Sequence, residues 1–267
     1  MTDLAAIKER QQQMWAAGDF SMIGVSQVIV SELLCEAVEL RAGQQFLDVA
    51  TGSGNTALAA ARRGCDVIGV DYVPSLLARG RERAAAERLR VTFHEGDAEH
   101  LPFPDAAFDV VLSTFGVMFA PDQTKAAREL LRVCRAGGTI GLANWTPDGF
   151  VGTNARVTAD HVPPPPGVPP PTRWGTAEGL RALLGEALAS LQVTRRSVVL
   201  RARSAQHYVE YVRTYFGPAQ KAFEALSADG QERLRQALIE TISHCNRSGD
   251  ETMFVPADYL EVVARKR

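Results

Sequence analysis

Cysteine and histidine are scarce in this chain, with four and five respectively among 267 residues. Cys35, Cys65, Cys134 and Cys245 lie far apart without a Cys-x-x-Cys pair, and no histidines recur at ligand spacing, so neither a disulfide framework nor a metal centre is expected. Excess charge of either sign is also missing. The net charge of −2, with no run of Lys or Arg, offers no footprint for nucleic acid or an anionic membrane. No stretch of eighteen consecutive apolar residues and no charged leader ahead of an apolar core occurs, so the expectation is a cytoplasmic chain without membrane insertion. Small-molecule chemistry is what remains. At 46% hydrophobic and 22% charged the chain can bury a full core, and nothing in it signals an oligomeric state.

What is present centres on Gln44–Ala60. Phe46, Leu47 and Val49 form a short buried strand, Gly52 and Gly54 allow a sharp turn, and the Ala-rich run from Thr56 to Arg62 is helix-prone. The free N–H groups of that helix then face the turn, which is a nucleotide-binding arrangement. Gly52-Ser53-Gly54-Asn55-Thr56-Ala57 also fits the glycine fingerprint of NAD-binding domains, so the surrounding carboxylates decide between ligands. Asp48 falls at the end of the first strand, where a pyrophosphate would meet unwelcome negative charge and a cationic ligand would be favoured. Asp71, with Tyr72 beside it, ends the run Val67–Val70 and is placed to accept both hydroxyls of a ribose. Asp97, in Gly96-Asp97-Ala98-Glu99 after a third strand, could accept from an adenine amino group while the Ala98 N–H serves a ring nitrogen.

Four ordered motifs carry a resemblance: Leu47-Asp48-Val49-Ala50-Thr51-Gly52-Ser53-Gly54; Gly69-Val70-Asp71-Tyr72; Gly96-Asp97-Ala98-Glu99-His100-Leu101-Pro102-Phe103; and Phe108–Ser113 with the later Arg132–Gly138. With these, the first 145 or so residues resemble the class I S-adenosylmethionine-dependent methyltransferases, in the branch similar to ubiquinone and menaquinone-biosynthesis methyltransferases. The resemblance implies S-adenosyl-L-methionine as cofactor, a small-molecule acceptor, and contacts from Asp48, Ala50, Thr51, Gly52, Gly54, Asp71, Tyr72, Asp97, Ala98, Glu99, Ser113, Thr114 and Phe115. Ala50 stands where the family usually has the first glycine of its loop, which implies a slightly altered turn with retained binding. The family's leading segment often covers the methionine end of the cofactor, where Trp15 or Phe20 could face the sulfonium.

Strands expected at 46–50, 66–71, 90–94, 108–113 and 138–144 alternate with helices at 56–63, 74–89 and 122–135. Such alternation specifies an α/β, doubly wound, mostly parallel sheet that binds its ligand at the carboxyl ends of the strands. Resemblance to the family completes it to seven strands, the last antiparallel. The expected division is N-terminal helices at 1–44, a cofactor-binding core at 45–160, a proline-rich connector at 161–174, completion of the sheet at 175–204, a helical cap at 205–250 and a last strand at 251–267. The stiff connector would suit a wall of the active-site mouth. Tyr208, Tyr211, Tyr215 and Phe216 would form one face of the cap, lining an acceptor pocket or packing as core.

Methyl transfer mainly demands alignment and exclusion of water, with a general base helping an acidic acceptor. His161 and His207, flanking the cap, are the candidate bases, with Tyr215 beside them; His94 and His100 read as structural. Two further readings are an NAD(P)-dependent oxidoreductase, which leaves Asp48 and Asp97 unexplained, and a non-catalytic S-adenosylmethionine-binding protein.

Overall fold

Each apolar run followed by a turn becomes a strand of one sheet in the computed structural model, which describes residues 3–267. The strands are β1 (Gln45–Val49), β2 (Asp66–Asp71), β3 (Val91–Glu95), β4 (Phe108–Thr114), β5 (Cys134–Trp145), β6 (Leu188–Ala202) and β7 (Met253–Lys266). Their order across the sheet is β3-β2-β1-β4-β5-β7-β6. β1 to β5 pair in parallel, and β7 runs antiparallel between β5 and β6. The strand order reverses between β1 and β4, and a crevice forms at the carboxyl ends of the strands on either side of such a point.

Local chemistry sets the flanking helices. Asp122 caps helix Gln123–Val133 by accepting from the Lys125 N–H at 2.9 Å, and Ala126, Ala127, Leu130 and Val133 form its buried stripe. Pro74 opens helix Pro74–Ala86, where a missing N–H costs nothing. Among the described residues, Phe20–Ala37 is the one helical stretch long and apolar enough to cross a membrane by length and composition. Its final part, Val28–Ala37, buries Val30, Ser31, Leu34 and Cys35 and leaves Ile29 and Leu33 exposed.

The second half holds the differences from expectation. A helix at Phe150–His161 follows β5, in a stretch whose apolar residues are too few to announce it, and packs on the long cap helix Ala228–Cys245. β7, at Met253–Lys266, falls within the expected 251–267 and pairs along nearly all of β6. The proline-rich connector does not wall the crevice: the Gln123 side chain donates to the Pro169 and Pro170 carbonyls, and the connector ends in a short turn that buries Trp174 completely. Between β6 and β7 the cap comprises helices Ala205–Tyr215, Gly217–Glu224 and Ala228–Cys245.

Candidate active site

The glycine turn after β1 is held from both sides by carboxylates. Asp48, almost wholly buried, accepts from the Thr51 hydroxyl at 2.6 Å and from the Ala57 N–H at 3.0 Å, tying the strand end to the first turn of helix Asn55–Arg62. On the neighbouring strand, Asp71 at the tip of β2 accepts from the N–H groups of Gly52 at 2.8 Å and Val73 at 2.9 Å. Gly52 and Gly54 adopt φ of +54° and +84°, and a Cβ on Gly54 would stand 3.0 Å from the Phe93 ring, so this glycine also lets the helix lie close to the sheet. Arg83 secures the turn from outside by donating to the Ser53 carbonyl and the Asn55 side chain, each at 2.7 Å.

Ala50 takes φ +55°, the left-handed conformation a glycine would adopt, so the chain keeps the turn and bears the strain of a methyl group there. Gly116 accommodates it, since a Cβ at 116 would fall 2.6 Å from that of Ala50. Ala50→Gly is therefore expected to leave cofactor affinity intact and to change stability by between zero and about +1 kcal/mol, because relieved strain opposes added chain entropy. Thermal denaturation with and without S-adenosylmethionine checks this, and a clear loss of stability would refute the account.

Of the expected cofactor contacts, Trp15, Asp48, Ala50, Thr51, Gly52, Asp71, Tyr72, Asp97, Ala98, Glu99, Thr114 and Phe115 all line one cavity at the carboxyl ends of the strands. Gly54 and Ser113 lie behind its wall. Ser113, fully buried, donates to the Val49 carbonyl at 2.7 Å and accepts from the Val117 N–H at 3.0 Å, bracing β1 against the loop after β4. Asp97 and Glu99 already have a cation between them, for Lys8 Nζ lies 2.6 Å from Asp97 and 2.5 Å from Glu99. Gln12 on the same helix, Leu4–Ala16, donates to the Tyr72 carbonyl. Lys8, Gln11 and Trp15 line the cavity, so this helix roofs it. Sequence reasoning found Trp15 and missed Lys8, although 8, 11, 12 and 15 share one helix face.

Burial pushes the Asp48 carboxyl up to about 7 and that of Asp71 to about 6, with hydrogen bonds from the turn opposing the shift in both. Such an elevation means that the folded chain holds these protons more tightly than the unfolded one. The stability it contributes is full below about pH 4 and is lost as pH rises through 6 to 7. A cationic ligand favours the ionised carboxylates, so its binding expels protons and tightens with pH. Calorimetry at pH 6.5 in buffers of different ionisation enthalpy should find about one proton released per S-adenosylmethionine bound, with affinity roughly tenfold weaker at pH 5.5 than at 7.5. Binding without proton exchange would contradict this picture.

A second, wider cavity of about 350 Å³ adjoins the first. Trp15, Phe20, Phe115 and Phe119 line both. Trp15 packs edge-on against Phe20, Phe119 and Phe216 with ring centroids 5.0 to 5.6 Å apart, and Phe115 stacks on Trp145 at 3.7 Å. Phe115 takes φ +58°, a backbone conformation rare for an aromatic residue and concentrated at functional sites. From the cap, His207, Tyr208, Tyr211 and Phe216 reach this cavity. Tyr215 does not: its ring packs on Tyr211 at 4.9 Å while its carbonyl accepts from the Asp19 N–H. His161 lines neither cavity, and its Nδ1 lies 2.9 Å from the Val157 carbonyl within its own helix. His94 packs on Phe103, in keeping with a structural part.

The donor set of the first cavity suits an adenosyl group that ends in a cation. Carboxylates at three strand tips provide acceptors, the Gly52 turn leaves its inner side open except for Phe20 at 3.9 Å, and the buried Oε1 of Gln11 has no partner among the described residues. Residues 47–142 match the methyltransferase domain family, and this part of the chain is a class I S-adenosylmethionine-dependent methyltransferase domain, with S-adenosylmethionine as cofactor. It is 37% identical over 262 residues to the uncharacterized protein Rv1405c of Mycobacterium tuberculosis, covering 95% of this chain and 93% of that one. The demethylmenaquinone methyltransferase of Thermus thermophilus is 43% identical over 109 residues, which span 40% of this chain and 50% of the relative. The fold is shared with the YcgJ protein of Bacillus subtilis, with a TM-score of 0.63 at 22% identity, covering 89% of this chain and 98% of that one.

Proposed function

We propose that this enzyme transfers the methyl group of S-adenosylmethionine to a small-molecule acceptor held in the second cavity. The observation that carries the proposal is the shared aromatic wall: Trp15, Phe20, Phe115 and Phe119 face both cavities, so a donor in one and an acceptor in the other meet there without bulk water.

In this reading Asp71 accepts the ribose hydroxyls, Asp97 and the Ala98 N–H take the adenine edge, and Asp48 supplies negative charge near the glycine turn. Lys8 then lies beside the adenine contacts, where it fixes the orientation of Asp97. Trp15 and Phe20 present ring faces to the sulfonium. The cofactor supplies an electrophilic methyl group, which an acceptor lone pair takes as the carbon–sulfur electron pair returns to sulfur. His207 is the histidine of the second cavity and is the proposed base where the acceptor must lose a proton, in place of His161 and Tyr215. The four cysteines are unpaired thiols, which supports work in a reducing cytoplasm.

Titration calorimetry with S-adenosylmethionine, S-adenosylhomocysteine and NADH, followed by turnover against phenols, quinols and amines, tests the proposal. Binding of both adenosyl ligands but not NADH, with S-adenosylhomocysteine formed in proportion to a methylated acceptor, is expected. Comparable affinity for NADH, or no turnover in an enzyme that binds the cofactor, would overturn it.

A further inference from the structure

The walls of the second cavity carry chemical information about what it accepts. Among the described residues its lining contains no aspartate, glutamate or lysine, and its chargeable members besides the tyrosines are Arg201 and His207. Arg201 lies at the surface with its guanidinium 4.9 Å from the centre of the Phe254 ring, donating to the Val199 carbonyl. The outer lip is apolar and open, with Met22 38% and Val25 62% exposed. A molecule entering past that lip exchanges water for rings and aliphatic side chains.

Three hydroxyl-bearing side chains line this space, Ser26, Tyr208 and Tyr211, and they differ: Ser26 donates to the Ile23 carbonyl at 2.9 Å within its own turn. Tyr211 donates its proton to the Met22 carbonyl at 2.7 Å and is thereby committed to joining the cap to the N-terminal segment. Tyr208, partly buried, packs its ring on Phe150, and its hydroxyl has no hydrogen-bond partner among the described residues, while the burial of the ring raises it above the usual phenol range. A neutral phenol without a protein partner at the edge of an apolar cavity is a donor available to a ligand's acceptor.

We propose that the second cavity selects a largely apolar, aromatic acceptor that is neutral or anionic and directs an oxygen to the Tyr208 hydroxyl, and that it rejects ammonium acceptors. This rests on the reading of the chain as a methyltransferase with its acceptor in that cavity. An ammonium group moved from water into such a space would lack a carboxylate partner, which is the costly case for a buried charge. Cation–π attraction offers partial relief, but the Trp15 and Phe20 rings are shared with the cofactor's sulfonium, and two cations against one pair of rings repel each other. An oxygen acceptor meets the opposite balance: Tyr208 donates to it, and the Arg201 charge at the cavity's edge favours its ionised form.

The test is calorimetric and uses the full chain saturated with S-adenosylhomocysteine, titrated with 2-naphthol, 2-naphthoate and 2-naphthylmethylammonium. The naphthol and naphthoate should bind at least about thirtyfold more tightly than the ammonium compound. Tyr208→Phe keeps the ring and should weaken the naphthol about tenfold. Met22→Glu, at the partly exposed lip where folding is not at risk, should shrink the naphthol-to-ammonium ratio by about tenfold by supplying the missing carboxylate. Ammonium binding as tight as naphthol binding, an unchanged naphthol affinity in Tyr208→Phe, or no heat from any of the three ligands while S-adenosylhomocysteine binds, would each overturn the proposal. Failure of S-adenosylhomocysteine itself to bind would strike instead at the assignment of the first cavity.

Discussion

Replacing Asp71 by alanine is expected to weaken S-adenosylmethionine binding by about 3 kcal/mol, roughly 150-fold. Two losses combine. The carboxylate proposed to accept the ribose hydroxyls disappears, and charge-assisted hydrogen bonds of this kind contribute about 1.5 to 3 kcal/mol each. The N–H groups of Gly52 and Val73, which now donate to Asp71, are also released, so the glycine turn loses its fixed position against β2. The fold should persist, because Asp71 sits at a strand tip on the crevice and the strands beneath it keep their ladder bonds. Calorimetry on the folded variant decides the matter, and affinity equal to that of the parent would remove Asp71 from the cofactor site.

Gly52→Val should cost at least roughly a hundredfold in cofactor affinity, through two independent effects. At φ +54° a β-branched residue is strained by about 1 to 3 kcal/mol, and the turn can relieve that only by moving its N–H away from Asp71. A Cβ at this position would find ordinary contact with the Phe20 ring at 3.9 Å, so the first atom is not what excludes the ligand. The two methyl groups beyond it extend into the cavity that Gly52 lines. Gly52→Ala separates the effects, since it carries most of the backbone strain without the added bulk, and should fall between parent and valine variant. Valine and alanine variants of equal affinity would mean that bulk plays no part.

The sheet and the first cavity were legible in the sequence because their signals are local. A strand that must be buried on both faces reads as a run such as Val67–Val70, and a carboxylate directly after it can only lie at the strand's carboxyl end. The second cavity was harder. Spacing alone put Tyr215 on one face with Tyr208 and Tyr211, but the helix stops at Tyr215 and the chain extends at Phe216, with φ −94° and ψ 103°. Phe216 then turns into the cavity while Tyr215 stays outside. His161 looked well placed beside the proline run, yet it ends a helix that the sequence hardly announced, and its ring is occupied within that helix. Lys8 was legible in principle as the one cation on the face that bears Trp15. What concealed it was that its partners Asp97 and Glu99 lie about ninety residues away, a pairing only tertiary structure creates.

The roof helix at Leu4–Ala16 has a kinetic consequence. It is latched to the β2 and β3 side of the crevice through Lys8 and Gln12, and just beyond it the chain is stitched to the cap by the bridge between Gly18 and Phe216, the Asp19 N–H on the Tyr215 carbonyl, and the Tyr211 hydroxyl on the Met22 carbonyl. Roof and cap are therefore joined like one door across two rooms, and moving either is expected to carry the other. On the proposed function, spent cofactor and methylated product are expected to leave during the same opening, so that the dwell time of the door, rather than the chemistry inside, would set the ceiling on turnover.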